Sequence, residues 1–360
     1  MLQRYVLTLG VTSAVVLWGC SETPAPTTPP RPTEQHGVYV LCEGLWGHNN
    51  ATLARIELPS GRVILDVLAG TGQILGDVAN HMQLLGDTLY VVVSGARSIE
   101  CFRASTAEWL GRIRLQLNEY PRFLCIVNDT LGLVTDLYRD RVTAIHLRHL
   151  RELPVAYTVG PAPEGIAAYG DLVFVANSGY GDYRANEPLA GTVSVLSLSR
   201  GSMIATLPVG PNTVSVTVNP RYRRLYALYL HLPSKWSQDS LGGIVEYELP
   251  SLRRLREWRA PISGYDVAWT PLQDTLLFLT VDGVWGVSMT DTSREPFRLI
   301  SNPQPRYNAW YTLAVDAAGR LWIGNARTYT VAGEVLCINP VMADTQRFSV
   351  GVNPGTIAFF

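Results

Sequence analysis

From residue 37 onward the chain is written in short apolar runs separated by Gly, Pro, Asp and Asn, with no sustained helical period. Runs such as LYVVVSG at 89 and VFVANSG at 173 are rich in aromatic and β-branched residues, which suit a pleated, half-buried surface. The intervening Gly and Pro positions supply tight turns. The pattern predicts many short strands and no long helix.

Seven of these runs are variants of one another: VYVLCEG at 38, LYVVVSG at 89, LGLVTD at 131, VFVANSG at 173, LYALYL at 225, LFLTVDG at 277 and LWIGNA at 321, at intervals of 51, 42, 42, 52, 52 and 44 residues. Six carry an aromatic second residue (Tyr39, Tyr90, Phe174, Tyr226, Phe278, Trp322), and Gly132 is the exception. A strand precedes each run, as in PRFLCIV (121–127) or WYTLAVD (310–316), and two follow, as in GTVSVLSL (191–198) and IATLPVG (204–210). With the strands of a repeat named A to D, the spacing predicts an all-β fold, a seven-bladed β-propeller with four-stranded antiparallel blades over residues 37–360. The first repeat begins at its B strand, and the last ten residues, GVNPGTIAFF, offer a surplus A strand. The C-terminal strand is therefore expected to close the first blade, which removes an exposed sheet edge.

Residues 1–20 read as a targeting segment. Arg4 precedes an apolar stretch from Val6 to Trp18, too short to span a bilayer. Leu17-Trp18-Gly19-Cys20 resembles the bacterial lipobox, in which the Cys becomes the acylated N-terminus; an ordinary secretory signal is the other reading. Residues 21–36, with five prolines between Ser21 and Gln35 and no large apolar side chain, read as an extended tether. An exported protein anchored to the outer membrane through lipidated Cys20 is expected, with the leaflet open.

Composition narrows the function classes. The net charge is −1 and only 16% of residues are charged, so no basic field exists to hold nucleic acid. Cys42, Cys101, Cys125 and Cys337 lie in apolar runs without disulfide or metal spacing, and buried thiols are expected. The six histidines show no ligand spacing, and no GxSxG, HExxH or EF-hand loop occurs. No catalytic residue, metal or cofactor is assigned. Glu43, Glu164 and Asp136 sit at strand ends where they would ring a central channel. They suit either a bound cation or amine, or the capping of loop N–H groups.

Propeller topology sorts the loops by face. The A-to-B turns are terse, whereas the B-to-C loops at 43–51, 178–190, 230–241 and 326–332 are long. These carry Trp46, Tyr180, Tyr183, Trp236 and Tyr329, and the D-to-A connections on the same face add Tyr120, Arg122, Tyr265, Arg306, Tyr307 and Trp310. Aromatic and Arg-bearing loops gathered on one face predict a ligand-binding surface. Packing of individual rings onto the propeller rim is the competing reading.

YVLCEGLWGHNNATLARIELPSGRV at 39, LGDVANHMQLLGDTLYVVVSGARSIECF at 75 and PEGIAAYGDLVFVANSG at 163 resemble the YncE-like, DUF5074-type propeller lipoproteins of Bacteroidetes over residues 37–360, with Cys42 in place of the family's usual Asn. With no catalytic motif in the chain, a non-catalytic, monomeric binding protein is expected. Some members of that group capture cobamides and pass them to a TonB-dependent transporter. A small-molecule ligand or an envelope protein is thus the expected partner. A propeller enzyme of lactonase or lyase type, and a scaffold that binds protein or glycan, are the alternatives.

Overall fold

The computed structural model describes residues 35–116, 119–231, 241–291, 295–342 and 344–360. Twenty-eight strands, β1 to β28 in chain order, form seven four-stranded antiparallel sheets, and the described residues contain no helix. This is a seven-bladed β-propeller. Six blades are continuous in sequence: Ala79–Arg114, Pro121–Thr158, Pro163–Pro208, Thr213–Ala260, Ile262–Ser301 and Trp310–Val352. The other is composite, in the order β28 (Pro354–Phe359), β1 (Gly37–Cys42), β2 (Thr52–Glu57) and β3 (Arg62–Ile64). Val38 lies opposite Phe359, Tyr39 opposite Ala358 and Val40 opposite Ile357. The C-terminal strand thus closes the ring. Phe360 packs 4.8 Å from the Tyr39 ring, and Phe359 stands edge-on to Trp322 of the last blade at 5.9 Å.

The core is divided among the joints between blades. Seven clusters of buried side chains each join two neighbouring sheets. The aromatic second residues of the B strands fill these joints and are almost wholly buried. A buried Tyr or Trp needs a partner for its polar end. Tyr39 Oη donates to the Ala104 carbonyl of the next blade at 2.8 Å, and Trp322 Nε1 donates to Asp316 at 2.9 Å. The exception at Gly132 has a steric cause. Ile145 and Leu147 already occupy the space, and a Cβ at 132 would meet Ile145 Cγ1 at 2.9 Å.

The innermost strands are β4 (Ala79–Leu85), β8 (Pro121–Ile126), β12 (Pro163–Tyr169), β16 (Thr213–Asn219), β20 (Ile262–Trp269), β24 (Trp310–Val315) and β28. Each presents one edge to the channel, where backbone groups lack a strand partner. Side chains of the preceding blade meet part of that demand. His81 Nδ1 accepts the Leu124 N–H at 3.2 Å and Gln83 Oε1 accepts the Ile126 N–H at 2.9 Å, while Thr356 Oγ1 donates to the Asn80 carbonyl at 3.2 Å. The His81 ring proton therefore sits on Nε2. Burial holds His81 neutral, with its pKa pushed down to about 4. The four described cysteines are free and buried, and desolvation pushes the Cys42, Cys101 and Cys125 thiols up to about 12.

Candidate functional site

In all seven blades the pairing of the innermost strand slips at the same end. The register breaks fall between Ala79 and His81, Pro121 and Leu124, Pro163 and Ile166, Thr213 and Ser215, Ile262 and Val267, Trp310 and Thr312, and, in the composite blade, between Leu41 and Cys42 opposite β28. A bulge frees a residue from the ladder and re-aims its side chain. The skipped residues Asn80, Arg122, Phe123, Tyr265, Asp266, Tyr311 and Gly355, together with Glu43 from the end of β1, line a pit of about 60 Å³ at the channel mouth. At Gly355 the Glu43 side chain packs directly on the backbone, and a Cβ there would meet Glu43 Oε1 at 2.7 Å and displace the carboxyl. Phe123 and Asp266 also line a second compartment of about 360 Å³, together with His81, Gln83, Ser215 and Thr217 among others.

The electrostatics of the pit are dominated by burial. Arg122 Nε donates to Glu164 Oε2 at 3.0 Å. Desolvation works against the Arg122 charge, but Glu164 and Glu43 outweigh it and keep the guanidinium ionised. Desolvation pushes the Glu43 carboxyl up to about 7. Arg122 and the Tyr311 hydroxyl pull it back, while Asp266 and Glu164 add repulsion. Asp266 rises to about 6 through burial, against hydrogen bonds from the Thr312 hydroxyl and the Leu313 N–H.

Around the pit the aromatic residues form two groups. Trp46 stacks on Tyr120 at 6.3 Å, Tyr120 meets Tyr138 edge-on at 4.8 Å, Tyr138 meets Tyr180 at 5.9 Å and Tyr180 meets Tyr183 at 5.4 Å. This crescent runs from the first blade to the fourth. On another side Tyr311 stands between Tyr265, at 6.4 Å, and Tyr329, at 5.8 Å. Trp46 and Tyr183 are 62% and 86% exposed, so the crescent offers ring surface to solvent. Its backbone is held by Asp136, whose Oδ1 accepts the N–H groups of Tyr120 at 3.1 Å and Tyr138 at 3.3 Å. Arg97 covers the Tyr120 ring at 5.5 Å. The 178–190 loop is pinned by Arg184, which donates to both carboxylate oxygens of Asp140 and to Glu187.

The sequence-derived residues divide accordingly. Trp46, Tyr120, Tyr180 and Tyr183 come together in the crescent, and Arg122 and Tyr265 line the pit with Tyr329 beside it. Arg306 and Tyr307 are exposed on the 302–309 connection, and no ring contact joins Tyr307 to either group. Trp310 is not a surface residue. It is the first residue of β24 and 95% buried, at the joint with the sixth blade beside Ala268, Leu279 and Leu313. Trp236 and Cys20 lie outside the described residues. Of the three carboxylates expected at the mouth, Glu43 and Glu164 sit at the pit, whereas Asp136 caps backbone. Tyr138, Tyr311, Asp266 and Asn80 are additional. Only a register break could have singled out the last three. Among the described residues no group of three or more His, Cys, Asp or Glu side chains is placed to hold a metal ion.

No protein-family model and no curated protein matches this chain. Solved structures do share its fold. A proposed 6-phosphogluconolactonase of Bacteroides fragilis aligns with a TM-score of 0.63 at 10% identity over 90% of this chain and 98% of its own. One from Bacteroides uniformis gives 0.62 at 12% over 91% and 100%. The Kuenenia stuttgartiensis hydrazine synthase gives 0.62 at 16% over 77% and 88%. At such identities the likeness is one of architecture. These comparisons support the seven-bladed propeller fold and do not show membership of the YncE-like, DUF5074-type family. This chain is similar in fold to propellers of several kinds, among them Bacteroides proteins of proposed lactonase activity.

Proposed function

We propose that this chain is a non-catalytic binding propeller of the cell envelope, tethered through lipidated Cys20, which captures a small organic molecule at its channel mouth for delivery to a transporter. The observation that carries the reading is the solvent-facing crescent Trp46–Tyr120–Tyr138–Tyr180–Tyr183 set beside a polar pit. Rigid rings give large contact area at small entropic cost. The pit is far below the several hundred Å³ of a whole-ligand pocket, so most of the ligand would lie across the rings. A flat, partly apolar body suits that surface. The path of the chain is consistent with this. Gln35 Oε1 accepts the Ala317 N–H in the terse turn after β24, on the face opposite the mouth.

The reading is tested by calorimetric titration of the full chain in detergent with a cobamide, haem and oligosaccharides, beside the double variant Trp46→Ala/Tyr183→Ala. Both side chains are exposed, so their truncation leaves the fold intact. A ligand that binds the native chain and loses about tenfold or more in the variant supports the crescent, given the weight aromatic anchors carry. A ligand whose affinity ignores both substitutions sinks it.

A further inference from the structure

The pit has a charge imbalance that its own residues do not settle. Three carboxyl groups, Glu43, Glu164 and Asp266, stand at the pit with one guanidinium, that of Arg122. Arg122 commits its Nε to Glu164. Glu43 is met by the Tyr311 hydroxyl at 3.1 and 3.2 Å, and Asp266 by the Thr312 hydroxyl. Neither Glu43 nor Asp266 has an ion-pair partner among the described residues. Two tyrosine rings, Tyr265 and Tyr311, complete the wall, and ring faces attract cations.

We propose that the pit is an ammonium receptor, so that the ligand held by the crescent carries a protonated aliphatic amine that enters between Glu43, Asp266 and the rings of Tyr265 and Tyr311. This rests on the reading of the mouth as a binding face. The volume of about 60 Å³ admits a head group and little more. A hard metal ion would ask for about six oxygen ligands, and two carboxylates between rings do not supply them. An anion would have to displace Glu164 from Arg122 and then face Glu43 and Asp266. An ammonium group needs no such displacement. It donates to the two carboxylates that lack an ion-pair partner and holds Glu43 ionised against the burial that raises it. Binding is then coupled to release of the Glu43 proton. The groups facing that carboxylate are Arg122, Tyr311, Asp266, Glu164 and Tyr265.

The test uses three probes with a common phenyl ring: 2-phenylethylammonium, neutral 2-phenylethanol and anionic 3-phenylpropanoate, titrated into the full chain in detergent at several pH values. The ammonium probe is expected to bind about tenfold more tightly than the alcohol, with the carboxylate weakest. Its affinity rises between about pH 6 and 8 as Glu43 loses its proton, and the heat of binding shifts with the ionisation enthalpy of the buffer. Glu43→Gln keeps the side-chain shape and is expected to reduce the ammonium probe to the level of the alcohol. Tyr265→Leu, which removes a ring without touching a carboxylate, lowers the affinity severalfold. Preference for the carboxylate, equal binding of all three, no binding at about 10 mM, competition by calcium alone, or an unaltered affinity in Glu43→Gln each overturns the proposal. The crescent is judged separately. Trp46→Ala/Tyr183→Ala weakens the large ligand in its own titration, whatever the amine probe does.

Discussion

The hydroxyl of Tyr311 donates to both carboxylate oxygens of Glu43, at 3.2 and 3.1 Å, and so ties the last blade to the first at the channel mouth. A donor at this point favours the ionised carboxylate. In Tyr311→Phe the ring remains and the donor is lost, so the Glu43 pKa moves upward from about 7. Carbon-13 chemical shifts of the glutamate carboxyls, followed against pH, read this directly. A Glu43 resonance that titrates unchanged in the variant contradicts the geometry.

The same carboxyl makes stability depend on pH. Its folded pKa of about 7 lies above the ordinary carboxyl value of 4.5, so between these values the folded chain binds more protons than the unfolded one. Stability from this group is full below about 4.5 and is lost as pH rises through 7. Glu43→Gln removes the titration. Its stability relative to the native chain is expected to improve with rising pH, by at most roughly 3 kcal/mol above pH 8. Denaturant midpoints of the two proteins at pH 5 and pH 8 measure the difference. A constant gap between them would rule out the raised pKa.

Two tryptophans that look alike in sequence are set apart by the fold. Trp46 is exposed and stacks on one ring, whereas Trp310 is buried at the joint between the sixth and seventh blades. Trp46→Ala is expected to shift stability by no more than about 0.5 kcal/mol. Trp310→Ala leaves a cavity and costs about 3–5 kcal/mol. Thermal melts of the two variants discriminate cleanly. Similar melting temperatures would mean that one of the two side chains is misplaced.

That pair also shows where sequence reading succeeds and stops. The B strands were legible because a buried aromatic recurs at their second position, where it fills the joint between blades, and even the Gly132 exception marks a joint filled from Ile145 and Leu147. Ring closure followed from counting strands. Glu43 and Glu164 were visible as strand-end carboxylates. Tyr311 and Asp266 were not, because alternation assigns a strand residue to one face by parity, and each bulge resets the parity at the mouth. Tyr138 sits in a loop of only four residues, 137–140, and attention to long loops passes over it. Trp310 read as part of the binding face because it opens its strand beside a connection, and nothing in the local pattern shows that its ring turns into the joint beside Ala268, Leu279 and Leu313.

Closure itself makes the last prediction. β28 covers the whole inner edge of β1, whose six residues are all buried, and brings Ile357, Phe359 and Phe360 against the joints on either side. Removing residues 354–360 strips these side chains, at about 1–3 kcal/mol each, and leaves the β1 backbone groups unpaired at an open edge. The sum rivals the 5–15 kcal/mol that holds a typical domain folded. The truncated chain is therefore expected to lose its cooperative melt and to aggregate. Phe359→Ala, which spares the ladder, lowers stability by about 2–3 kcal/mol with cooperativity intact. Because the missing piece is a strand, the peptide GVNPGTIAFF added in trans can pair with the exposed β1 edge by strand addition and restore a concentration-dependent transition. A truncated chain that melts within a few degrees of the full one, with no response to the peptide, would place the stability of the ring elsewhere.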